Sequence, residues 1–474
     1  MAEGCAGTRG AGGLTSYSRG MSSLAAPGSK IVRMGKLFGT DGVRGVANSQ
    51  LTPDLALRLG RAAATELASG RRRPRVVLGR DTRVSGPMLQ SALAAGIMSA
   101  GAEVVDAGIV PTPAVAFWVT TLGASAGAVI SASHNPFLDN GIKFFGGDGF
   151  KLTDEQESRI ENLVDAGPSG SEMGSSGALT DAHHLYVKHA LDSLEGRSLE
   201  GIRLVLDCSN GAAFRTSPEA FQRAGAEVTV INADPDGVNI NAGCGSQHLD
   251  GLVKRVRATG ADLGLAHDGD ADRVIAVDEQ GRVVDGDCLI AALAIEMKEA
   301  GGLDNNLVVS TVMANLGFRR AMAAAGIKLV ETPVGDRYVL EKMREAGAAI
   351  GGEQSGHVIF SRFSTTGDGL ITGLRLAGLM VSSGSKLSEL AAVVEKFPQV
   401  LVNVPVSDAG RAGSSKALAE AVEAAQKDMG DRGRVLVRPS GTEPLVRVMV
   451  EAPDTQTADS VAARLAALIA AEAL

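Results

Sequence analysis

The stretch GAVISASHNP at residues 127–136 joins an apolar run to a dense polar cluster, and this change of character indicates the fold. Residues 126–130 have the pattern of a buried strand, and Asn135-Pro136 marks a loop at its carboxyl end. Two further stretches have the same form, LGLAHDGDADR at 263–273 and AAIGGEQSGH at 348–357. Because ligands bind beyond the carboxyl ends of strands in open parallel sheets, we expect the three polar clusters to be three walls of one site.

The same order of elements precedes each of these stretches. A strand, a polar turn and a helix pattern lead to a second strand, which reads AGAEVVDAG, AGAEVTVIN or AGIKLVETP and starts at Ala100, Ala224 or Ala325. Continuous β-branched runs that alternate with Ala/Leu-rich helical patterns are typical of βαβ units with parallel strands. The fold class is therefore α/β, with three repeated domains built on parallel or mixed sheets. After Phe397 alternating strands (VLVNVPV, RVLVRPS, LVRVMVEA) and helices predict a smaller carboxyl-terminal α+β domain.

Glycine- and serine-rich stretches and the repeat boundaries divide the chain into four domains and one extension. Residues 1–33 lack a secretory signal pattern, and we expect them to be disordered or spurious. The predicted segments are the extension 1–33, domain I 34–180, domain II 181–283, domain III 284–396 and domain IV 397–474.

Composition restricts the possible partners and the compartment. The chain has 474 residues, 45% of them hydrophobic, and a net charge of −8, which gives no reason for a nucleic-acid or anionic-membrane partner. The four cysteines form no Cys-x-x-Cys pair, which is typical of reduced thiols in a cytoplasmic protein. No apolar run approaches the length that a membrane span requires.

DGDADR places Asp268, Asp270 and Asp272 close together, and three hard carboxylates suit Mg²⁺ or Ca²⁺. An EF-hand is excluded because Arg273 stands where that loop requires glycine. A solvated acidic turn is the alternative, although three crowded acids repel one another unless a cation joins them.

The remaining polar clusters are weaker signals when each is taken alone. RPSGTEP at 438–444 offers an arginine, two hydroxyls and a glycine, which suits a phosphate loop or an ordinary turn. GRDTR at 79–83 and GDRY at 335–338 could equally hold structural ion pairs. In SASHNP, Ser133 and His134 are adjacent, and on an extended chain their side chains would point apart, so we expect His134 to be poorly placed to deprotonate Ser133.

Taken in order, the motifs FGTDGVRG, SASHNP, DGDADR, GEQSGH and RPSGTEP resemble those of the α-D-phosphohexomutases, and the glucosamine branch most closely. The resemblance runs from Gly35 to the carboxyl terminus. It implies four domains around a central cleft and an isomerase that interconverts glucosamine 6-phosphate and glucosamine 1-phosphate, which would supply UDP-N-acetylglucosamine synthesis. It further implies one Mg²⁺ per chain, a phosphorylated serine, a hexosamine 1,6-bisphosphate as activator and intermediate, and a homodimer as a possible assembly.

The resemblance also implies a role for each motif. Ser133 would carry the phosphoryl group and complete the Mg²⁺ shell with Asp268, Asp270 and Asp272. Arg273 would steady the transferring phosphoryl group. The candidates for proton transfer are Lys143, His357 and Arg44. The residues expected to bind the sugar phosphate are Glu353 and Ser355 for its hydroxyls and Arg438, Ser440, Gly441, Thr442 and Arg447 for the phosphate that does not react.

Two other functions remain open on the sequence. A phosphomannomutase or phosphoglucomutase would use the same residues on another hexose phosphate. A catalytically silent sugar-phosphate binding protein would need neither Ser133 nor the three aspartates, so their presence argues against it.

Overall fold

The computed structural model describes most of the chain, namely residues 37–39, 41–67, 74–167, 172–407, 415–439 and 444–472. The prediction for residues 1–33 lies outside the described residues. In the described ranges no helix has both the length and the apolar character that a membrane crossing requires.

The first domain is built on a six-stranded sheet. Its elements are β1 (Val43–Val46), α1 (Pro53–Leu67), β2 (Arg75–Arg80), α2 (Gly86–Ser99), β3 (Glu103–Ile109), α3 (Thr112–Thr121), β4 (Ala126–Ile130), β5 (Asp139–Gly146), α4 (Asp154–Leu163) and β6 (Ser176–Ala178). The strand order is β1-β5-β4-β2-β3-β6. Strands β2, β3, β4 and β6 are parallel, whereas β5 is antiparallel to both β4 and β1.

The second domain repeats this arrangement on a five-stranded sheet of order β11-β10-β9-β7-β8. Its elements are α5 (Ala182–Asp192), β7 (Arg203–Asp207), α6 (Thr216–Arg223), β8 (Glu227–Ile231), α7 (Asp250–Thr259), β9 (Leu263–His267), β10 (Val274–Asp278) and β11 (Val283–Val284). Strand β7 is parallel to β8 and β9, and β10 returns antiparallel to β9.

The third domain has a four-stranded sheet of order β13-β12-β14-β15. Its elements are α8 (Gly286–Glu299), β12 (Leu307–Thr311), α9 (Leu316–Ala324), β13 (Lys328–Thr332), α10 (Asp336–Ala346), β14 (Ile350–Gly352), β15 (Val358–Phe360), α11 (Gly369–Ser383) and α12 (Leu387–Ala391). Strand β12 is parallel to β13 and β14, and β15 is antiparallel to β14.

The fourth domain differs, because its three-stranded sheet of order β16-β18-β17 is antiparallel throughout. Its elements are β16 (Gln399–Pro405), α13 (Lys416–Met429), β17 (Arg434–Pro439), β18 (Leu445–Glu451) and α14 (Thr455–Glu472). The described part of the chain thus confirms the predicted fold class of three α/β repeats followed by a smaller α+β domain.

One strand order underlies all three α/β sheets. In each of them the first parallel strand lies between the second and the third, and a fourth strand returns antiparallel beside the third. The third strands are β4, β9 and β14, which are the strands that end in the polar clusters. The short edge strand β6 lies beside β3 at the edge of the first sheet.

The largest cluster of buried apolar residues spans the first three domains and contains Val77 of the first sheet, Leu206 of the second and Val308 of the third. Separate clusters lie within the first, second and third domains. Helix α11 is buried along most of its length and packs against α5, α8 and the second sheet. The fourth domain has a separate cluster that includes Val448 and Leu465. The three walls predicted from the sequence are therefore held in one packed body.

Asp287, at the start of α8, should make stability depend on pH. Burial and the neighbouring charge of Asp285 raise its pKa to about 8, while its ordinary value is near 4. Between these values the folded protein holds a proton that the unfolded chain releases, so this contribution to stability is present at low pH and is lost as pH rises through about 8.

We therefore expect Asp287→Asn to raise the melting temperature more at pH 8.5 than at pH 5. Asparagine keeps the acceptor for the Asn315 N–H, which donates to Asp287 Oδ2 over 2.8 Å, but cannot ionise. Differential scanning fluorimetry from pH 5 to pH 9 measures the difference. A difference between variant and wild type that is constant over this range would contradict the prediction.

Candidate active site

Ser133 is presented on a tight turn after β4. Its backbone lies in the left-handed region, with φ of +52°, which is strained for a residue with a side chain. The Ser133 N–H donates to Ser131 Oγ over 3.0 Å, and Ser131 Oγ donates to Asp81 Oδ2 over 2.6 Å. Such strain persists only where the surroundings fix the backbone, so the loop is built to hold one conformation.

The fully buried Arg83 supplies most of that fixation. Its guanidinium donates to the carbonyl oxygens of Ser133 (3.0 Å) and Asn135 (2.8 Å) and pairs with Asp81 at 2.8 Å. The segment GRDTR thus contains a structural ion pair between Asp81 and Arg83, which was one of the possibilities that the sequence allowed. It is also the support of the serine loop.

Asn241, in the second domain, holds the same loop from the other side. Its Nδ2 donates to the carbonyl oxygens of Ser133 (2.9 Å) and Asn135 (3.1 Å). We expect Asn241→Gly to lower kcat about tenfold, because glycine accepts the positive φ of this position while the two hydrogen bonds are lost. Asn232→Gly is the matched control, since Asn232 is also left-handed but its amide binds Asp207. Equal losses of kcat in the two variants would contradict a specific role for Asn241.

The three aspartates predicted as metal ligands lie directly opposite Ser133. Asp268, Asp270 and Asp272 are all buried, and their carboxylate oxygens lie within 4.8 Å of one another. Ser133 Oγ donates to Asp268 Oδ2 over 2.5 Å. Burial, together with the charges of Asp272 and Asp270, raises the pKa of Asp268 well above its usual range. The crowding of negative charge calls for a compensating cation.

The donor set fits a hard divalent cation. Within the described residues, Asp270 Oδ1 and Asp272 Oδ1 are buried without a hydrogen-bond partner, and a buried carboxylate oxygen rarely stays unpaired. Carboxylate and hydroxyl oxygens at one point are the ligands that Mg²⁺ prefers. Asp268, Asp270, Asp272 and the oxygen on Ser133 are the atoms that would hold it.

Lys143 projects from β5 into this cluster. Its Nζ lies 2.8 Å from Asp270 Oδ2 and 2.9 Å from Asp41 Oδ2, and the side chain is buried. Burial alone would lower the pKa of Lys143, but the charges of Asp270 and Asp41 raise it. Lys143 is therefore held as a cation in this arrangement. Arg44, the other basic candidate of the first wall, is paired with Asp41.

His357 closes the site from the third domain. Its Nδ1 lies 3.6 Å from Asp272 Oδ2 and its Nε2 lies 3.5 Å from Asp336 Oδ2. Burial alone would lower the pKa of His357, but the charge of Asp272 raises it. The Gly367 N–H donates to Nε2 over 3.0 Å, and a Cβ at Gly367 would lie 2.4 Å from the ring. The imidazole is thus fixed on three sides.

The GEQSGH loop also carries Glu353 and Ser355. Glu353 Oε1 accepts from the Gly335 N–H at 3.3 Å, and burial raises the pKa of this carboxyl. Ser355 Oγ is buried and has no hydrogen-bond partner within the described residues, so it is available to a ligand. The Val274 N–H donates to Gly356 O over 3.1 Å, which ties this loop to the strand after the aspartates.

Arg273 and His134 lie at the side of the cluster. Arg273 Nη1 is 3.3 Å from His134 Nδ1, and Arg273 Nε is 3.7 Å from Asp272 Oδ1. The expectation that His134 points away from Ser133 is wrong, because the left-handed turn brings His134 Nδ1 to 3.4 Å from Ser133 Oγ. Burial and the charge of Arg273 lower the pKa of His134 to about 4, so the imidazole is neutral at pH 7.

The fourth wall is described only in part. Arg438 on β17 and Arg447 on β18 are paired in register, and burial together with the charge of Arg447 lowers the pKa of Arg438. Two cations held side by side favour an anion between them. Ser440, Gly441 and Thr442 lie outside the described residues.

Sequence reasoning missed several residues of the site. Thr112, at the start of α3, donates through Oγ1 to Asp270 Oδ2 over 2.7 Å. It follows the carboxyl end of β3, a parallel strand of the first sheet, and the rule that predicted the three walls could have included it. Asp336 lies in the GDRY segment, for which structural ion pairs were one possibility, and it pairs with Lys151. Lys151 itself has no local pattern that would reveal it.

The fold and the site together define the class of the phosphohexomutases. A serine, three aspartates and several basic residues lie at the strand ends of three similar α/β domains, and an antiparallel fourth domain follows them. Models of the phosphoglucomutase/phosphomannomutase domains match in order: domain I at residues 35–170, domain II at 184–281, domain III at 285–397 and the C-terminal domain at 401–468. The boundaries that we derived from the sequence stay predictions.

Proteins of similar sequence indicate the particular family within this class. The chain is 56% identical over 438 residues to the phosphoglucosamine mutase of Moorella thermoacetica, with 91% of this chain and 98% of that protein covered. The chain belongs to the phosphoglucosamine mutase family.

Solved structures share the architecture. A phosphoglucomutase/phosphomannomutase family protein from Burkholderia thailandensis is 26% identical with a TM-score of 0.78, over 92% of this chain and 97% of that one. The Aspergillus fumigatus N-acetylphosphoglucosamine mutase, solved in complex with GlcNAc-6P and magnesium, is 19% identical with a TM-score of 0.68, over 92% of this chain and 96% of that one. At that identity the likeness concerns the fold alone.

Proposed function

We propose that this chain interconverts glucosamine 6-phosphate and glucosamine 1-phosphate, with Ser133 as the phosphoryl carrier. One observation supports this above the others: Ser133 Oγ lies 2.5 Å from Asp268 Oδ2, beside buried carboxylate oxygens that lack partners. An oxygen in that position, once phosphorylated, would present its phosphoryl group to the metal ligands and to the cleft.

The proposed reaction consists of two phosphoryl transfers. In the first, the bond between phosphorus and Ser133 Oγ breaks, a bond from phosphorus to the sugar O1 or O6 forms, and the hydroxyl proton leaves to a base. The hexosamine 1,6-bisphosphate then turns, and its other phosphoryl group returns to Ser133 Oγ as a proton returns to the sugar. Nothing is consumed, so no nucleotide is required.

Different side chains of the site would perform different parts of the reaction. Asp268, Asp270, Asp272 and the serine oxygen would hold one Mg²⁺, which when bound neutralises charge on the phosphoryl oxygens. Arg273 would stabilise the transferring group. Lys143, His357 and Arg44 stay the candidates for moving the proton, and the raised pKa of Lys143 favours it as a donor and not as a base.

The substrate would be gripped at both ends. Glu353 would accept hydrogen bonds from the hydroxyls of the sugar ring, and Ser355 would donate to them. The buried Ser355 Oγ, which has no hydrogen-bond partner among the described residues, supports this. Arg438, Ser440, Gly441, Thr442 and Arg447 would bind the phosphate that is not reacting. The proposal includes a cytoplasmic enzyme whose product supplies UDP-N-acetylglucosamine synthesis, and a homodimer is a possible assembly.

The test is kcat/KM for glucosamine, glucose and mannose 1-phosphates under one condition, with Mg²⁺ and the matching bisphosphate present. We expect the glucosamine compound to be preferred. Equal turnover of a glucose or mannose phosphate would contradict the proposed substrate preference, although the proposed mechanism would still hold. Binding without turnover of any of the three would identify a silent binding protein.

A further inference from the structure

Five charged side chains and the imidazole of His357 form a closed ring of contacts beside the serine loop. The charge ring, named in order of contact, is Lys143, Asp41, Lys151, Asp336, His357 and Asp272. Lys143 and Asp41 are 2.9 Å apart, Asp41 and Lys151 2.6 Å, and Lys151 is paired directly with Asp336. His357 then bridges Asp336 to Asp272 at 3.5 Å and 3.6 Å, and Asp272 lies 3.7 Å from Lys143.

The ring crosses the boundaries of three domains. Asp41, Lys143 and Lys151 come from the first domain, Asp272 from the second, and Asp336 and His357 from the third. Lys143 and His357, two candidates for proton transfer, therefore stand on different domains. They are connected on one side by Asp272 and on the other by the path through Asp41, Lys151 and Asp336. No part of the proposed mechanism uses Lys151 or Asp336.

Lys151 is the member that keeps the ring closed on the side away from the aspartate cluster. Among the described residues Lys151 forms ion pairs with Asp41 and Asp336 alone, and its side chain is 9% exposed. Without this cation two nearly buried carboxylates would face each other, and like charges in a low-dielectric site repel strongly. Asp336 would then move away from Asp41 and withdraw from His357.

We propose that Lys151 and Asp336 are positioning residues, which hold His357 and Lys143 at the distance that phosphoryl transfer requires. This rests on the proposed function of the site. Within the described part of the chain neither residue forms a hydrogen bond or an ion pair with Ser133, so each acts through its neighbours. Asp336 acts on His357, and Lys151 acts on the carboxylates of Asp41 and Asp336. Misplacement of a reacting group by about 1 Å can cost about 100-fold in rate, so a small shift of the ring is enough to be measured.

Arg337 offers a matched control at the same domain interface. It follows Asp336 in the chain and links the third domain to the first through Asp154 (2.8 Å) and the carbonyl oxygen of Leu152 (3.1 Å). It lies outside the charge ring. Loss of Arg337 therefore weakens the same interface without opening the ring.

The experiment compares Lys151→Met, Lys151→Arg, Asp336→Asn, the double variant Lys151→Met/Asp336→Asn and Arg337→Met in the full chain. We expect Lys151→Met to lower kcat about 10- to 100-fold with KM within about threefold, and Lys151→Arg to recover most of it. In the double variant the Asp336 carboxylate, which Lys151→Met leaves without its cation, has been replaced by a neutral amide. The kcat of the double variant should therefore exceed that of Lys151→Met. Arg337→Met should lower the melting temperature while leaving kcat within about twofold.

Two results would overturn the proposal: wild-type kcat in Lys151→Met, or losses of kcat that follow the melting temperature equally in the Lys151 and Arg337 variants. Every value is taken relative to wild type with whichever hexose phosphate the wild type turns over. A different preferred sugar would therefore count against the proposed substrate and not against the charge ring. A wild type that turns over none of them would remove the proposed function itself and, with it, the positioning role.

Discussion

Ser133→Ala is expected to abolish turnover and leave the fold intact. The variant removes the only atom proposed to carry the phosphoryl group, so the rate should fall roughly 10⁴-fold or more, as when a covalent nucleophile is removed from other enzymes. The fold should be unaffected, because the lost hydroxyl contacts Asp268 and His134 within the site, while Arg83 and Asn241 hold the backbone of the loop.

Ser209→Ala is the control for this prediction. Ser209 is also buried with φ of +52°, and it lies after β7, but its hydroxyl donates to Cys208 O over 2.7 Å and not to the aspartates. It should keep activity within a few-fold. Mass spectrometry of the intact protein should detect a phosphoryl group on wild type and on Ser209→Ala but not on Ser133→Ala. Mutase activity in Ser133→Ala would disprove the phosphoserine assignment.

Asp270→Asn should give the second largest loss, roughly 100-fold or more in kcat/KM, with a higher requirement for Mg²⁺. The substitution removes the charge but keeps the shape of a side chain whose Oδ2 accepts from Thr112 and lies 2.8 Å from Lys143. Excess Mg²⁺ should restore activity only in part, because a neutral amide oxygen is a weaker ligand for Mg²⁺ than a carboxylate oxygen. A chelator should inactivate the wild type.

Asp278→Asn is the matched control for the metal. Asp278 is a buried aspartate at the far end of β10, where it accepts from the Arg282 N–H at 2.8 Å and pairs with the Arg282 guanidinium at 2.7 Å. Its loss should lower stability without changing the Mg²⁺ dependence. A wild type that stays fully active in chelator, or equal Mg²⁺ dependence in the two variants, would show that the aspartate cluster does not bind an essential metal.

The strands and helices could be predicted from the sequence because each is determined by a pattern over a few neighbouring residues. Runs such as those of β4, β9 and β14 are largely apolar over a few residues, and the polar cluster after each run marks the strand end. Since parallel strands end at one edge, the rule that ligands bind there is sufficient to predict from the sequence that Ser133, the aspartates and His357 lie together.

The supports of the site could not be predicted in this way. Arg83, Asn241 and Lys151 act through contacts with residues far away in the chain, such as Asn241 with Ser133 across 108 positions. No periodicity reports such a contact, and a lone basic residue or asparagine in a loop is usually solvated. The mistaken orientation of His134 has a similar origin, because the left-handed backbone of Ser133 is imposed by these distant partners.

The division of the apolar core has a consequence for unfolding. The largest cluster of buried apolar side chains spans the first three domains, whereas the cluster around Val448 and Leu465 belongs to the fourth domain alone. Cooperativity follows contiguous packing, so the three α/β domains should melt as a single calorimetric unit, and truncation after the first or the second of them would expose a broken apolar face. The fourth domain should unfold as a separate unit, and its transition can be shifted without disturbing the other.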